Sequence, residues 1–264
     1  MIKLFSALTS RRDFSDEVAH APTTHHTYAG VDLEVTMADE ISVAWYDTDW
    51  PEVPEVDFLV RHGIGRGSTV FDLGAHQSMY ALLFAQRVGP DGRVVAVEAS
   101  AHNADVSRRN RHLNRATNLE IVHAAVTQHA GTVSFGRGLN GQIGTFGDSE
   151  TVAAMTIDDL ADAHGVPNLI FLDIEGFEVR ALHGAPRTLA TTPAAFVEVH
   201  VGEGLEDAGD SADDLLAFFP AERYDRYLSD EHQRHPQPFT QHAYREMSRE
   251  RFFLTAIPRR VRTR

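Results

Sequence analysis

The chain contains no cysteine, and Lys3 is its only lysine. The first absence excludes disulfides, thiolate metal sites and a cysteine nucleophile. The second leaves the body of the protein without an amine for Schiff-base or general-base chemistry. Long apolar runs are missing too. Residues 1–13 carry only a broken one, Ile2 to Leu8, interrupted by Lys3 and Ser6. That is too short to span a bilayer and makes a poor secretion signal, so a cytoplasmic protein with no membrane partner is expected. Positive charge is scarce, and the formal net charge is −14 with neutral histidines. A strongly acidic body argues against nucleic acid as partner, because phosphate binding wants a basic surface. The local exception is 245–264, with seven arginines against Glu246 and Glu250. It reads as a solvated face or tail, and it permits a homodimer in which it meets the acidic body of a second subunit.

What is present is a strand, a tight turn, a helix and a second strand. Val70 to Leu73 reads as a short buried strand. Gly74 lets the chain turn sharply and leaves room for a ligand against the main chain. Ser78 to Val88 has apolar residues at helical spacing, and Gly89-Pro90-Asp91-Gly92 ends it. Val94 to Val97 is the second strand, with Glu98 at its carboxyl end, where an open α/β sheet binds ligands. An acid there can accept from both ribose hydroxyls of a nucleoside. Dinucleotides and S-adenosylmethionine (SAM) both use this arrangement. A dinucleotide wants G-x-G-x-x-G for its pyrophosphate. Gly74-Ala75-His76-Gln77-Ser78-Met79 has a single glycine, which can suffice for SAM.

In chain order, 1–27 reads as an irregular lead-in whose His20, His25 and His26 need no metal. Val31 to Val35 alternates as a strand, with Ile41 to Trp45 as its expected partner. Val56 to His62 reads as a short helix. Tyr46 and Trp50 read as packing residues, with substrate contact as the alternative. Ser100 caps a helix running to about Arg115. Leu119 to His123, Thr132 to Phe135 and Thr151 to Met155 read as strands. The stretch 136–147 holds five glycines and reads as a flexible hairpin or a lid. Thr156 caps the helix Ile157 to His164. Leu169 to Leu172 is apolar throughout, as a central parallel strand should be. Three carboxylates follow it within Asp173-Ile174-Glu175-Gly176-Phe177-Glu178. Helix N-terminal charge compensation explains Glu178 and Glu175 better than Asp173. Val179 to Leu189 reads as a helix broken near Gly184 and Pro186. Ala195 to Val199 is a strand with Glu198 and His200 at its end. Asp213 to Phe219 reads as a helix, and Tyr224 to Leu228 and Phe252 to Ile257 as the last strands, forming a terminal hairpin if antiparallel.

Phe71-Asp72-Leu73-Gly74-Ala75-His76, Ile157-Asp158-Asp159-Leu160, Leu172-Asp173-Ile174-Glu175-Gly176-Phe177-Glu178 and Gly184-Ala185 together resemble the FkbM family of SAM-dependent methyltransferases. Trp50-Pro51-Glu52 and Gly67 to Gly74 are similar as well, so the resemblance covers roughly 45–200. It implies an α/β, Rossmann-like class I methyltransferase fold: a seven-stranded, mostly parallel sheet with a reversed last strand and helices on both faces. It implies SAM as methyl donor and O-methylation of a natural product or sugar as the usual reaction. Residues 1–66 would form a lead-in and cap, and 67–264 the SAM-binding domain. Three departures touch the site. His76 stands where the family turn has Asn and Ser78 where it has a second Gly. Phe171 stands where the strand before the carboxylates has Lys.

The resemblance implies a cofactor-binding set of Asp72, Gly74, Ala75, His76, Glu98, Ala99, Ala124, Ala125 and Asp173. Glu98 would take the ribose, 123–126 the adenine, and Asp173 the SAM amino group or the acceptor. For an alcohol nucleophile the candidate catalytic groups are Asp173, Glu175, Glu198 and His200, the last because imidazole titrates near neutrality. The acceptor is expected to be a small molecule. A divalent cation on Asp173, Glu198 and His200 is chemically possible; the sequence establishes none, and no metal is assigned. A nicotinamide-dependent oxidoreductase and a non-catalytic SAM-fold binding module remain alternatives.

Overall fold

The computed structural model describes residues 14–136 and 149–259. The glycines 138, 141, 144 and 147 of the expected lid and the last five residues of the basic tail lie outside them.

The centre of the molecule is one sheet. Its inner strands are β3 (Thr69–Leu73), β4 (Arg93–Glu98), β5 (Leu119–His123), β9 (Leu169–Leu172) and β10 (Ala194–Val199), all parallel. The chain adds β11 (Tyr224–Ser229), β12 (Gln237–Pro238) and β13 (Phe252–Pro258) at one edge. The order is β12-β11-β13-β10-β9-β3-β4-β5. β13 is antiparallel to both β10 and β11, so the last strand is the reversed one, as expected. The expected seven strands become eight because the two-residue β12 joins the edge. β11 and β13 pair without a tight hairpin, since the chain between them passes through β12 and α10 (Gln241–Met247).

Side chains alternate across this sheet, as the pleat requires. Val70, Val94, Leu169 and Phe171 enter one core layer, with α3 (Pro54–Arg61) and α4 (Met79–Val88). Phe71, Val95, Ile170 and Leu172 enter the other, with α6 (Ile157–His164), α7 (Glu178–His183) and α8 (Pro186–Ala190). Both faces are therefore covered, which is why the inner strands are apolar along their whole length. Leu73 pairs with Val97 on one side and Leu172 on the other. The next residues, Gly74, Glu98 and Asp173, thus emerge side by side where the strand order reverses, the usual ligand position in such sheets.

The N-terminal part departs from expectation. Residues 16–20 form α1 (Asp16–His20), and β1 (Thr23–Tyr28), not Ile41 to Trp45, pairs with β2 (Val31–Thr36). Residues 40–46 are α2 (Glu40–Tyr46). Asp39 Oδ1 accepts from Ser42 N–H at 2.7 Å and Ser42 Oγ accepts from Asp39 N–H at 3.0 Å, so two donors at the helix start are satisfied. That cap overrides the strand preference of the β-branched residues after it. The hairpin sits on α5 (Ala101–Leu113), where Asn110 Oδ1 accepts from Thr36 N–H at 2.9 Å. His26 lies between Asp47 and Asp49, not in a group with His20 and His25. A separate sheet of β6 (Ala125–Val126), β7 (Gly131–Gly136) and β8 (Ser149–Met155) flanks the site. Among the described residues no helix is long and apolar enough to cross a membrane.

Candidate active site

The turn after β3 is built on unusual backbone. Gly74 has φ +86°, and a Cβ there would lie 1.6 Å from the carbonyl oxygen of Asp173. The space that glycine leaves is filled by the neighbouring strand end rather than held open for a ligand. His76 and Ser78 are also left-handed, at φ 47° and 67°. Ser78 is buried, and its hydroxyl neither caps α4 nor finds another partner. Asn and Gly, the residues of the resembling family, adopt this conformation with less strain. α5 holds the turn: Ser107 Oγ donates to His76 O at 2.8 Å, and Asn110 Nδ2 to Gln77 O at 3.0 Å.

Glu98 is buried at the end of β4. Its Oε2 accepts from His76 N–H and its Oε1 from Ser100 N–H, each at 2.7 Å. Burial pushes its carboxyl up to about 7 against these N–H groups. Asp72, buried on β3, is pushed up to about 7 by burial and by the Glu98 charge.

Glu98 lines a cavity of about 270 Å³ together with Gly74, His76, Ala99, Ala124, Ala125 and Asp173. Seven of the nine expected cofactor residues therefore share one wall, while Asp72 and Ala75 lie outside the lining. Trp45, which the sequence placed in a strand, reaches the cavity from α2. Its neighbour Tyr46 is buried, with its hydroxyl 2.6 Å from His76 Nδ1. Burial raises the Tyr46 phenol well above its usual range and pushes the His76 imidazole down to about 4. Tyr46 is thus the donor, and neutral His76 carries its hydrogen on Nε2, a buried atom beside the cavity with no hydrogen-bond partner among the described residues.

The second centre is His200, 1% exposed. Its Nδ1 stands 2.8 Å from Oε1 of the fully buried Glu178, which also accepts from Gly176 N–H at 2.9 Å. Asp173, Glu175 and Glu198 surround Nε2. Burial opposes charge on His200, but the Glu178 hydrogen bond and the charges of Glu178, Asp173 and Glu175 outweigh it and raise the imidazole to about 9. The carboxylates at both ring nitrogens thus favour its charged form. Burial also raises Asp173, further lifted by the Glu198 charge, and raises Glu175 and Glu198 against the His200 charge. Glu175 itself sits at φ 55°.

Asp173 and Glu198 also line a second cavity, with Tyr80, Phe171, Phe196 and Phe253. Phe171 stacks on Phe196 at 4.4 Å and 9°, and on Tyr80 at 4.9 Å and 30°. The aromatic residue in place of lysine thus completes an apolar floor. Arg251 belongs to the arginine-rich run that reads as a solvated face. It lines the first cavity and pairs with Glu198 at 3.4 Å and Glu203 at 3.5 Å. Only the β10–β13 register, which sets Phe253 opposite Glu198, would have revealed it.

A family model described as the methyltransferase FkbM domain matches residues 72–227. No curated protein matches the chain. Among solved structures, an unconfirmed rRNA methylase from Clostridium thermocellum is 13% identical, with 77% of this chain and 93% of that one covered and a TM-score of 0.48. A SAM-dependent methyltransferase from Aquifex aeolicus is 13% identical over 83% and 93%, with a TM-score of 0.43. Cofactor-bound Rv0187 from MTB is 16% identical over 84% and 91%, with a TM-score of 0.44. Likeness of this order decides nothing about the acceptor.

Proposed function

This chain belongs to the FkbM family of methyltransferases, and we propose that it methylates a hydroxyl oxygen of a small molecule of the natural-product or sugar class. The methyl donor is SAM, as in the family. Bound, it supplies a methyl group already activated by its sulfonium.

The residues of the first cavity fit that group. Glu98 lines this cavity from the end of β4, held by the N–H groups of His76 and Ser100, where its carboxylate suits a pair of ribose hydroxyls. Ala99, Ala124 and Ala125 leave a wall smooth enough for a flat base. The unpartnered His76 Nε2–H offers one more donor. Gly74 faces the methionine part and Asp173 its amino group. A pyrophosphate would meet Asp173 and Glu175 across the same cavity, which disfavours the nicotinamide alternative.

The observation that carries the reading is the sharing of Asp173 and Glu198 by two cavities, one suited to a nucleoside and one floored by stacked aromatic rings. An acceptor in the second meets a donor in the first at these carboxylates. Holding the two in line is the main task, since the methyl is already electrophilic. Glu198 is placed to take the hydroxyl proton, while Glu175 and His200 fix the local charge. The acidic chain, at −14, favours a small acceptor over nucleic acid. The same reading divides the chain into a lead-in and cap, 1–66, which brings Trp45 to the cavity, and a SAM-binding domain, 67–264.

The test is transfer of labelled methyl from SAM to panels of small hydroxylated and aminated acceptors. An O-methyl product whose formation Glu198→Gln slows is expected. Label on nitrogen alone overturns the O-directed reading, and SAM binding without transfer to any acceptor favours the binding module.

A further inference from the structure

Four carboxylates face the buried His200 ring at the ends of β9 and β10, and only Glu178 forms a hydrogen bond with it. Around Nε2 the nearest oxygens are Glu175 Oε2 at 3.4 Å, Asp173 Oδ1 at 3.6 Å and Glu198 Oε1 at 3.8 Å. A charge-assisted hydrogen bond closes to about 2.7–2.9 Å, and none of these three contacts does. Two atoms bound to one metal ion at about 2.1 Å stand about 3.0 Å apart at a right angle and about 3.4 Å apart at the tetrahedral angle. The spacing at Nε2 is that of a slightly open coordination shell. One ligand atom each from Asp173, Glu175 and His200 lies within 4.8 Å of the others, the one such group among the described residues.

A second observation concerns aim. His200 is 1% exposed, so its Nε2 is directed into the carboxylates by packing. A metal-bound histidine characteristically gives its other ring N–H to a carboxylate, which fixes tautomer and ring plane. Glu178 does this at 2.8 Å, from a site with no solvent exposure.

We propose that Asp173, Glu175 and His200 bind one divalent first-row transition cation. Two carboxylate oxygens and an imidazole nitrogen suit Mn²⁺, Fe²⁺ or Zn²⁺ better than Mg²⁺ or Ca²⁺, which favour all-oxygen shells. Three protein ligands leave open positions. Asp173 lines both cavities and Glu175 the first, so the open side faces their junction. There the ion takes the acceptor oxygen and lowers the pKa of its hydroxyl. The hydroxyl proton passes to Glu198, the oxygen lone pair forms the bond to the methyl carbon, and the carbon–sulfur bond breaks with its electron pair on sulfur, leaving S-adenosylhomocysteine. Coordination at Nε2 exchanges the proton on that nitrogen for the ion. The binding of the ion stands on this geometry alone; its work on the acceptor rests on the function proposed above.

The test is a Mn²⁺ titration of the chelator-stripped full chain, read by electron paramagnetic resonance as loss of the free-ion signal. One Mn²⁺ per chain with a micromolar dissociation constant is expected. Glu175→Gln, at a half-buried position outside the His200–Glu178 pair, should weaken it at least about tenfold, and His200→Ala should abolish it. Metal-free calorimetry with S-adenosylhomocysteine on each protein reports whether the donor cavity is intact. No Mn²⁺ uptake by the wild type up to about 1 mM, a standard free energy of only about −4 kcal/mol, overturns the proposal. So does uptake that both variants retain, which marks an adventitious ion only. Site-specific Mn²⁺ uptake by a wild type that ignores S-adenosylhomocysteine supports the cation site and overturns the donor assignment instead.

Discussion

His200 Nδ1 and Glu178 Oε1 stand 2.8 Å apart with both side chains buried. Glu178 opens α7 and His200 directly follows β10, so the pair ties the carboxylate turn to the end of the next strand. Removing one partner of a buried ion pair leaves the other without compensation, which costs about 3–5 kcal/mol. Glu178→Ala should therefore lower unfolding free energy by about 3 kcal/mol or more, measured in urea. A loss under about 1 kcal/mol, the range of exposed pairs, would show that the pair does not hold the turn.

The two residues at the ends of the cofactor turn should respond in opposite directions. Ser78 is buried at φ 67° with an unpartnered hydroxyl. Ser78→Gly relieves both and should stabilise by about 1 kcal/mol. Gly74→Ala drives a methyl into the Asp173 carbonyl, 1.6 Å away, and should destabilise by more than about 4 kcal/mol. Thermal unfolding of the two variants separates them, and a tolerated Gly74→Ala would mean that β3 and β9 do not end where described.

Much of this was legible beforehand. The inner strands announce themselves because a sheet covered on both faces needs continuous apolar runs, as in Leu169 to Leu172. Thr156 and Ser100 cap their helices as read, each accepting a backbone N–H. Glu98 and Asp173 stand at strand ends and line the cavity, and strand ends are the positions that single them out in the sequence. What stayed hidden depends on contacts between distant residues. Ile41 to Trp45 alternates like a strand, and only the Asp39–Ser42 cap decides for helix. β12 is too short to carry a period. Arg251 depends on the register of an antiparallel neighbour. The charge on His200 comes from carboxylates that include Glu178, which sequence reasoning assigned to a helix start.

Glu98 makes ligand binding pH-dependent, and the sign follows from its direction. Its carboxyl in the folded protein is raised from 4.5 to about 7. The associated stability of the ligand-free protein is fully present below 4.5 and is lost as pH rises through about 7. Ribose binding uses the ionised form, so ligand affinity runs the other way. S-adenosylhomocysteine should bind roughly tenfold more tightly at pH 8 than at pH 6, following the ionised fraction of Glu98. Glu98→Gln should flatten that dependence in a calorimetric series. An unchanged slope in the variant would assign the titration to another group.

The most direct test of the central claim is calorimetric titration of wild type and Glu98→Ala with S-adenosylhomocysteine at pH 8, with thermal unfolding to confirm that both are folded. Binding in the micromolar range, weakened at least about thirtyfold in the variant through the loss of two charge-assisted hydrogen bonds, is the predicted result. No heat with the wild type, or equal affinity in the two proteins, would contradict a methyl-donor site organised on Glu98.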